Sequence, residues 1–182
     1  MKTYISILRG INVGGHRKIL MADLRKMYED LGFKEVKSYI QSGNVVFNSN
    51  NDLEVLTLEN LLEESILKTF GHEVPVIIRS QEEWKQAMIK NPYLEDHEIS
   101  SLSLTFFNEK PSTALVNHLQ NIDFSPEKLS IIDKHAYIYC HEGQFHLSKI
   151  THQKLESKLK VKATTRNWKT VLKLKEISEQ TQ

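Results

Sequence analysis

The sequence predicts an α+β protein made of two tandem βαββαβ units with an extra C-terminal helix. Two observations support this prediction. Short runs of β-branched and aromatic residues alternate with amphipathic helical stretches, and the order strand-helix-strand-strand-helix-strand occurs twice in the 182 residues. The predicted divisions are 1–79 for the first half, 80–100 for a linking helix and connector, and 101–182 for the second half. This internal duplication is inferred from element order alone, because no residue-level repeat accompanies it.

In the first half, a strand over residues 3–8 precedes a glycine-rich loop. The remaining predicted elements are a helix over Met21–Leu31 that stops at Gly32, strands over Val36–Ile40 and Val45–Phe47, a helix over Leu53–Phe70 that closes at Gly71, and a strand over Val74–Arg79. Gln41-Ser42-Gly43-Asn44 is a hairpin signal between the second and third strands.

The linking helix begins at Ser80-Gln81-Glu82-Glu83, which has the pattern of a capping box, and should end before Asn91-Pro92. The second half then repeats the order. Its predicted elements are strand Leu102–Phe107, helix Ser112–Asn121, strands Leu129–Asp133 and Ala136–His141, helix Thr151–Leu159, strand Val161–Thr164 and a last helix from Trp168 to about Glu179.

Right-handed crossovers give such a unit the sheet order 4-1-3-2. The loop after the first strand and the hairpin between the second and third strands then lie at the same sheet end. We therefore expect Arg9–Gly15 and Gln41–Asn44 to border one concave surface, although about thirty positions separate them.

Composition indicates a cytoplasmic protein with no membrane partner. The apolar run at the N-terminus is too short for a signal peptide, no stretch is long enough for a membrane span, and the single cysteine, Cys140, fits a reducing compartment.

The net charge of +1 is unevenly distributed. Nine of the 24 basic residues and one of the 23 acidic residues lie between Lys149 and Lys175, a local charge of +8. This excess indicates an anionic partner or, alternatively, a solvated lysine-rich surface.

The predicted meeting point of loop and hairpin is the first candidate binding site. Arg9 can grip a phosphate or carboxylate with two donors, glycines let backbone approach a ligand, and neutral donors and acceptors surround them. The candidate ligand-binding residues are Arg9, Gly10, Asn12, Gly14, Gly15, Gln41, Ser42, Gly43 and Asn44. Arg17 and Lys18 add charge at the start of the helix. The spacing matches neither a Walker loop nor a dinucleotide fingerprint, and turn chemistry alone is the alternative explanation for the glycines.

The second candidate site lies before the last helix, at Thr164, Thr165, Arg166 and Asn167. Asn167 or Thr165 can cap that helix, and the amides of its first turn, with Arg166, can bind an anion. We expect these residues to form a strand-to-helix corner with outward amides. The alternative is a plain cap, with Trp168 in the core and Arg166 paired to an acid.

Other chemistries have little support in the sequence. On the strand Ala136–His141 the residues Tyr137 and Tyr139 share a face and could stack bases, but the aromatic signature of RNA-recognition modules is absent, so packing is favoured. Cys140 alternates with core residues, which favours a buried thiol over a nucleophile. The eight histidines form no known metal-ligand spacing, and no nucleophile elbow is present.

Three segments resemble the signatures of one family. Leu8–Gly15, Tyr39–Phe47 and Ala163–Trp168 are similar to those of the bacterial domain-of-unknown-function family 1697. The resemblance implies a fold of paired ferredoxin-like units, and it implies no established activity, substrate or cofactor. The signature segments coincide with the two candidate sites.

These observations favour a binding module, or an enzyme of unproven chemistry, for a phosphate-bearing ligand such as a nucleotide or nucleic acid. Arg9 and Arg166 are expected to be its strongest anion-binding groups, with Arg9 the more important. One alternative is an enzyme for a small anionic metabolite, with His16 as the nearest acid or base. The other is a purely structural interaction module. The cofactor, if any, and the oligomeric state are not predicted.

Overall fold

The computed structural model of the protein describes residues 1–50 and 53–181. Its internal contacts divide the chain into two compact units. Unit 1 comprises Met1–Lys85 together with the chain from Lys173 onward, and unit 2 comprises Gln86–Leu172. The last helix therefore begins in unit 2 and ends in unit 1.

Unit 1 has the predicted βαββαβ order. Its elements are β1 (Lys2–Leu8), α1 (Met21–Asp30), β2 (Lys34–Tyr39), β3 (Asn44–Ser49), α2 (Val55–Phe70) and β4 (Val76–Ser80). The strands form one sheet in the order β2-β3-β1-β4, with every neighbouring pair antiparallel. This is the order expected from right-handed crossovers.

Unit 2 repeats the same arrangement after a linking helix, α3 (Gln81–Ile89). Its elements are β5 (Leu102–Phe107), α4 (Thr113–Gln120), β6 (Lys128–Ile132), β7 (His135–Tyr139), α5 (His152–Leu159) and β8 (Ala163–Asn167), followed by α6 (Trp168–Glu179). The sheet order is β6-β7-β5-β8 and all pairs are antiparallel. The two sheets confirm the predicted α+β class of tandem ferredoxin-like units with a C-terminal helix.

Several predicted boundaries differ from the observed ones by a few residues, and the difference at the eighth strand affects a candidate site. The eighth strand runs over Ala163–Asn167 and not over Val161–Thr164, so it leads directly into α6. The shift has a tertiary cause, because each residue from Ala163 to Asn167 pairs with a partner on β5. Thr164 and Thr165 favour a strand locally, and pairing with β5 extends that strand through Arg166 and Asn167.

Local chemistry sets the starts of several helices as the sequence predicts. Ser80 Oγ accepts from Glu83 N at 3.2 Å and Glu83 Oε2 accepts from Ser80 N at 2.8 Å, which confirms the capping box. Ser112 caps α4 and Thr151 caps α5 through their side-chain oxygens. These bonds satisfy amides that have no partner within the helix.

The core of unit 1 lies between the sheet and the helices α1 and α2. Phe47 is its aromatic centre, with ring centroids of Phe33 at 4.6 Å, Tyr28 at 5.3 Å and Tyr4 at 5.7 Å. The Tyr28 and Ser6 hydroxyls lie 2.9 Å apart and satisfy each other inside this core. Burial raises the pKa of the Tyr28 phenol above its ordinary value.

The central strands are buried on both faces, not on one. β3 and β5 are buried at every position, as is β1 from Tyr4 to Leu8. Antiparallel sheets commonly leave one face to solvent, so the alternation expected of half-buried strands does not hold here. Two polar side chains on these strands are hydrogen-bonded internally, Ser6 with Tyr28 and Thr105 with Thr165, whereas the buried Ser103 Oγ on β5 has no hydrogen-bond partner among the described residues.

The end of the chain is bound into unit 1. Asn48 Nδ2 donates to the Thr181 carbonyl at 2.7 Å, Gln81 Nε2 donates to the Ser178 carbonyl at 2.8 Å, and Lys37 Nζ donates to the Gln180 carbonyl at 3.1 Å. These bonds satisfy carbonyls at the end of α6 that have no partner within the helix.

Gly43→Ala should destabilise the protein by about 2–4 kcal/mol, because the new methyl would add overpacking to a left-handed backbone. Gly43 has φ +77°, and a Cβ there would lie 2.6 Å from Leu8 Cβ and 2.9 Å from Ile11 Cδ1. The matched control is Gly71→Ala, with φ +70° and nothing within 4 Å of the added carbon. Urea unfolding of both variants measures the difference. Equal losses would mean that the close approach at Gly43 carries no cost.

Candidate functional site

The loop after β1 and the β2–β3 hairpin meet at one end of the first sheet, as predicted. Leu8 N donates to the Gly43 carbonyl at 2.7 Å, and Asn12 Nδ2 donates to the Gln41 carbonyl at 2.9 Å. The absence of a side chain at Gly43 allows this approach. The topology therefore places the two halves of the first candidate site side by side.

Asn12 is the brace of this junction. Besides its bond to Gln41, its Nδ2 donates to the Ile19 carbonyl at 2.9 Å, and its Oδ1 accepts from Ile19 N at 2.9 Å. Its backbone has φ +56°, a conformation that asparagine tolerates better than most residues. The carboxamide thus joins the loop, the start of α1 and the hairpin, and its role here is structural.

The glycines at the tip make a tight turn. Gly14 and Gly15 have φ +58° and +79°, Val13 pairs with His16, and His16 N donates to the Val13 carbonyl at 3.0 Å. Two successive positive φ values are those of a two-residue hairpin turn. Turn chemistry accounts for this glycine pair.

The loop of residues 9–18, called the basic loop below, carries Arg9, Arg17 and Lys18 and no carboxylate. Arg17 and Lys18 are exposed, whereas Arg9 is half-buried and its backbone N donates to the Pro75 carbonyl at 3.0 Å. Arg17 Nη1 donates to the Arg9 carbonyl at 3.5 Å and lies 3.3 Å from where a Cβ on Gly10 would stand. The side chain of Arg17 therefore folds back over Gly10.

The hairpin presents both buried and exposed groups. Asn44 is fully buried, and its Nδ2 donates to the Tyr39 carbonyl and to Ser42 Oγ, each at 3.0 Å. Gln41 is exposed and Ser42 is half-buried. Of the four predicted hairpin residues, only these two are not buried.

Two exposed apolar side chains at this junction are not predicted from the sequence. Val13 is 63% exposed and Ile40 is 51% exposed, the latter with φ +50°. The sequence predicts that the second strand includes Ile40, whereas β2 ends at Tyr39. The available signal was an isoleucine directly beside the turn residues Gln41-Ser42-Gly43, where polar residues are usual.

At the second candidate site the chain forms the predicted strand-to-helix corner, but the strand extends further than predicted. Thr164, Thr165 and Arg166 lie within β8, paired with Phe106, Thr105 and Leu104 of β5. Asn167 caps α6, with Oδ1 accepting from Thr170 N at 2.9 Å, and Trp168 is buried, as the plain-cap alternative predicted.

Arg166 is enclosed and does not project from the start of a helix. It is 9% exposed, and its Nη1 donates to Thr164 Oγ1 at 3.0 Å and to the Thr165 carbonyl at 2.9 Å. Burial lowers the pKa of its guanidinium to about 10. These contacts account for the burial of Arg166, and its predicted anion-binding role stays a prediction.

The lysine-rich segment is mostly solvent-exposed. Lys158, Lys160 and Lys162 are exposed, whereas the half-buried Lys154 places Nζ 5.0 Å from the centroid of the Phe124 ring. The single acid of the segment, Glu156, accepts from Ala163 N at 2.8 Å and so supports β8. These contacts agree with a solvated basic surface.

The tyrosines of β7 have packing partners. Tyr137 is fully buried and its hydroxyl donates to the Ala87 carbonyl at 2.7 Å, whereas the half-buried Tyr139 stacks on His97 with centroids 3.8 Å apart. Base stacking on Tyr137 is therefore excluded.

Cys140 is buried, and burial together with Glu127 raises the pKa of its thiol to about 11, which disfavours the nucleophilic thiolate.

Over residues 1–50 and 53–181, no three His, Cys, Asp or Glu side chains come together in a way that could hold a metal ion. None of the helices in the same ranges has the length and apolar character needed to cross a bilayer.

The fold defines a class of proteins with two ferredoxin-like sheets in tandem. The solved structure of a conserved bacterial protein from Streptococcus pneumoniae has this fold. It matches with a TM-score of 0.74 and 23% identity, over 97% of this chain and 98% of that chain. A comparison with curated proteins gave no match.

The family model described as a protein of unknown function (DUF1697) matches residues 1–137, and the chain belongs to that family. The matched range contains the basic loop and the hairpin, and the segment Ala163–Trp168 lies outside it.

Asn12→Ala should cost about 2 kcal/mol of stability, because three hydrogen bonds between the loop, α1 and the hairpin are lost. Amide hydrogen exchange at Ile19 should accelerate locally as well, since Ile19 N donates to the removed Oδ1. Asn12→Asp retains that acceptor but sets a carboxylate oxygen against the Ile19 and Gln41 carbonyls, so it should cost at least as much stability while Ile19 N keeps its acceptor. Unchanged protection of Ile19 in the alanine variant would contradict the brace.

Arg166→Ala should lower the free energy of unfolding by about 2–4 kcal/mol, because it removes a buried, hydrogen-bonded side chain from β8. Lys169→Ala, at an exposed position in the first turn of α6, is the control and should change stability by less than about 0.5 kcal/mol. Chemical denaturation measures both. An Arg166→Ala protein of normal stability that fails to bind phosphate would support the ligand-binding role.

Proposed function

We propose that unit 1 binds a phosphate-bearing ligand, a nucleotide or a nucleic acid, at the basic loop and the hairpin. One observation carries the proposal. Three basic residues and no carboxylate lie on a loop that Asn12 holds against the exposed Gln41 and the half-buried Ser42. A positively charged group of donors on a braced support is suited to phosphate oxygens.

The contribution of each cation follows from its position. Arg9 is a half-buried arginine at the base of the loop, and its residue type can give a phosphate two donors, while Arg17 is held over Gly10 and Lys18 adds an exposed charge. Exposed cations act through a high dielectric, so a single phosphate would be bound weakly. Several phosphates on one ligand would release several counterions, which favours a polyanion over a small metabolite.

The proposed function concerns binding, and the position of His16 argues against proton-transfer chemistry. His16 is exposed at the tip of the Gly14–Gly15 turn. Acid–base catalysis is favoured in sites that exclude water, and the tip of an exposed turn does not exclude water. The lysines of unit 2 would add long-range attraction for the same ligands.

The test is anisotropy of a fluorescein-labelled oligonucleotide titrated with protein from about 50 to 200 mM salt. We expect log K to fall with log salt with a slope of about −3 if each of the three cations neutralises one phosphate. Arg17→Ala/Lys18→Ala should reduce the slope by about 2, and Arg9→Ala should abolish binding.

The matched control is Lys158→Ala/Lys169→Ala, which removes two exposed lysines that belong to unit 2. It should leave the affinity within about twofold, since diffuse surface charges contribute little individually. Thermal midpoints of all variants should agree with that of the parent. If Arg9→Ala binds normally but unfolds several degrees earlier, Arg9 is a structural residue and the proposed function fails.

A further inference from the structure

We propose that the phosphate-bearing ligand is duplex nucleic acid, and that Ile40 is an apolar wedge that enters its minor groove beside the cations of the basic loop. This inference rests on the proposed function and deepens it by naming the ligand class and the residue that selects it.

Ile40 has an unfavourable backbone conformation, and its side chain does not belong to a hydrophobic core. It is β-branched, yet its backbone has φ +50°, which such residues rarely adopt. Its side chain is 51% exposed, so burial provides little compensation. Asparagine or glycine would fit this position more easily. Strained backbone that persists without a packing benefit is characteristic of binding sites.

The side chain of Ile40 is carried on a fixed support. The carbonyl of Tyr39 accepts from Asn44 Nδ2 at 3.0 Å, and the carbonyl of Gln41 accepts from Asn12 Nδ2 at 2.9 Å. Both neighbours of Ile40 are therefore hydrogen-bonded to buried or braced asparagines. A rigid protruding aliphatic group can be inserted with little loss of conformational entropy.

The surrounding chemistry favours a duplex. Minor-groove proteins combine Arg, Lys, Asn or Gln contacts with an aliphatic wedge between base steps, and here Arg17, Lys18 and Gln41 accompany Ile40. Proteins for single strands stack bases on exposed aromatic side chains, whereas the basic loop and residues 40–43 contain no Phe, Tyr or Trp and the neighbouring Tyr39 is half-buried. Binding to a bilayer surface commonly uses Trp or Phe, which are equally absent.

The experiment uses the full chain and a duplex that carries 2-aminopurine, whose fluorescence rises on unstacking, with donor and acceptor dyes at its ends to report bending. The parent protein should raise the 2-aminopurine signal and shorten the end-to-end distance. Ile40→Asn should lose both signals and bind roughly tenfold more weakly, as expected when one aliphatic contact is lost.

Ile40→Asn is suited to this test because asparagine tolerates a left-handed backbone, so its thermal midpoint should equal or exceed that of the parent. Leu56→Gln, at a 61% exposed position in α2, is the control for loss of a surface aliphatic group and should keep both signals. A folded Ile40→Asn variant that still unstacks and bends the duplex would overturn the wedge.

The remaining outcomes separate the two proposals. Salt-dependent binding of the duplex by the parent without unstacking or bending would overturn the wedge and leave the proposed function standing. Tighter binding of a single strand than of the duplex would overturn the duplex assignment in the same way. Ile40-dependent binding to phosphatidylserine vesicles, with no binding of the duplex, would replace nucleic acid by a lipid surface. Binding unaffected by Arg17→Ala/Lys18→Ala would overturn the proposed function itself.

Discussion

The carboxamide of Asn12 is the interaction on which the candidate site depends. Its two donors and one acceptor bind Ile19 on the approach to α1 and Gln41 on the hairpin. A few residues away, the Leu8 amide bonds to the Gly43 carbonyl where no side chain intervenes. Without these contacts, the basic loop and the hairpin would be two independent surface segments. With them, cations and exposed apolar side chains share one support.

Two buried arginines show how the same sequence feature can have a structural purpose. Arg79 donates to the Ile78 carbonyl at 2.7 Å, and Arg166 donates to the Thr165 carbonyl at 2.9 Å. Each directly precedes a residue whose side chain accepts from the first turn of the next helix, Ser80 or Asn167. Burial lowers the pKa of both guanidiniums, and for Arg79 the carboxylates of Glu83 and Glu59 oppose that effect. An arginine before a helix start is therefore not by itself evidence of an anion site.

The location of charge, more than its amount, separates the candidate site from the rest of the surface. The lysines of α5 and its C-terminal flank are more numerous than the cations of the basic loop, but they lie on an ordinary helical surface. The three cations of the basic loop lie on a braced turn with no carboxylate among them. Of these three cations, Arg17 has its side chain held by the Arg9 carbonyl, whereas Lys18 is an exposed charge like the lysines of α5.

By itself, the sequence determined the element order, the strand order and the local capping chemistry, because these depend on periodicity, glycine positions and short-range hydrogen bonds. Ser80 and Glu83 form their capping box, and the loop after β1 meets the hairpin as the topology requires. Tertiary contacts decided the extent of the last strand and the burial of individual side chains, which local propensity does not determine. Pairing with β5 extended the last strand over Thr165–Asn167, and enclosure of the guanidinium removed Arg166 from the surface. The hairpin held Ile40 exposed in a left-handed conformation. Whether a side chain is buried or presented depends on neighbours distant in sequence, and only the folded chain brings those neighbours together.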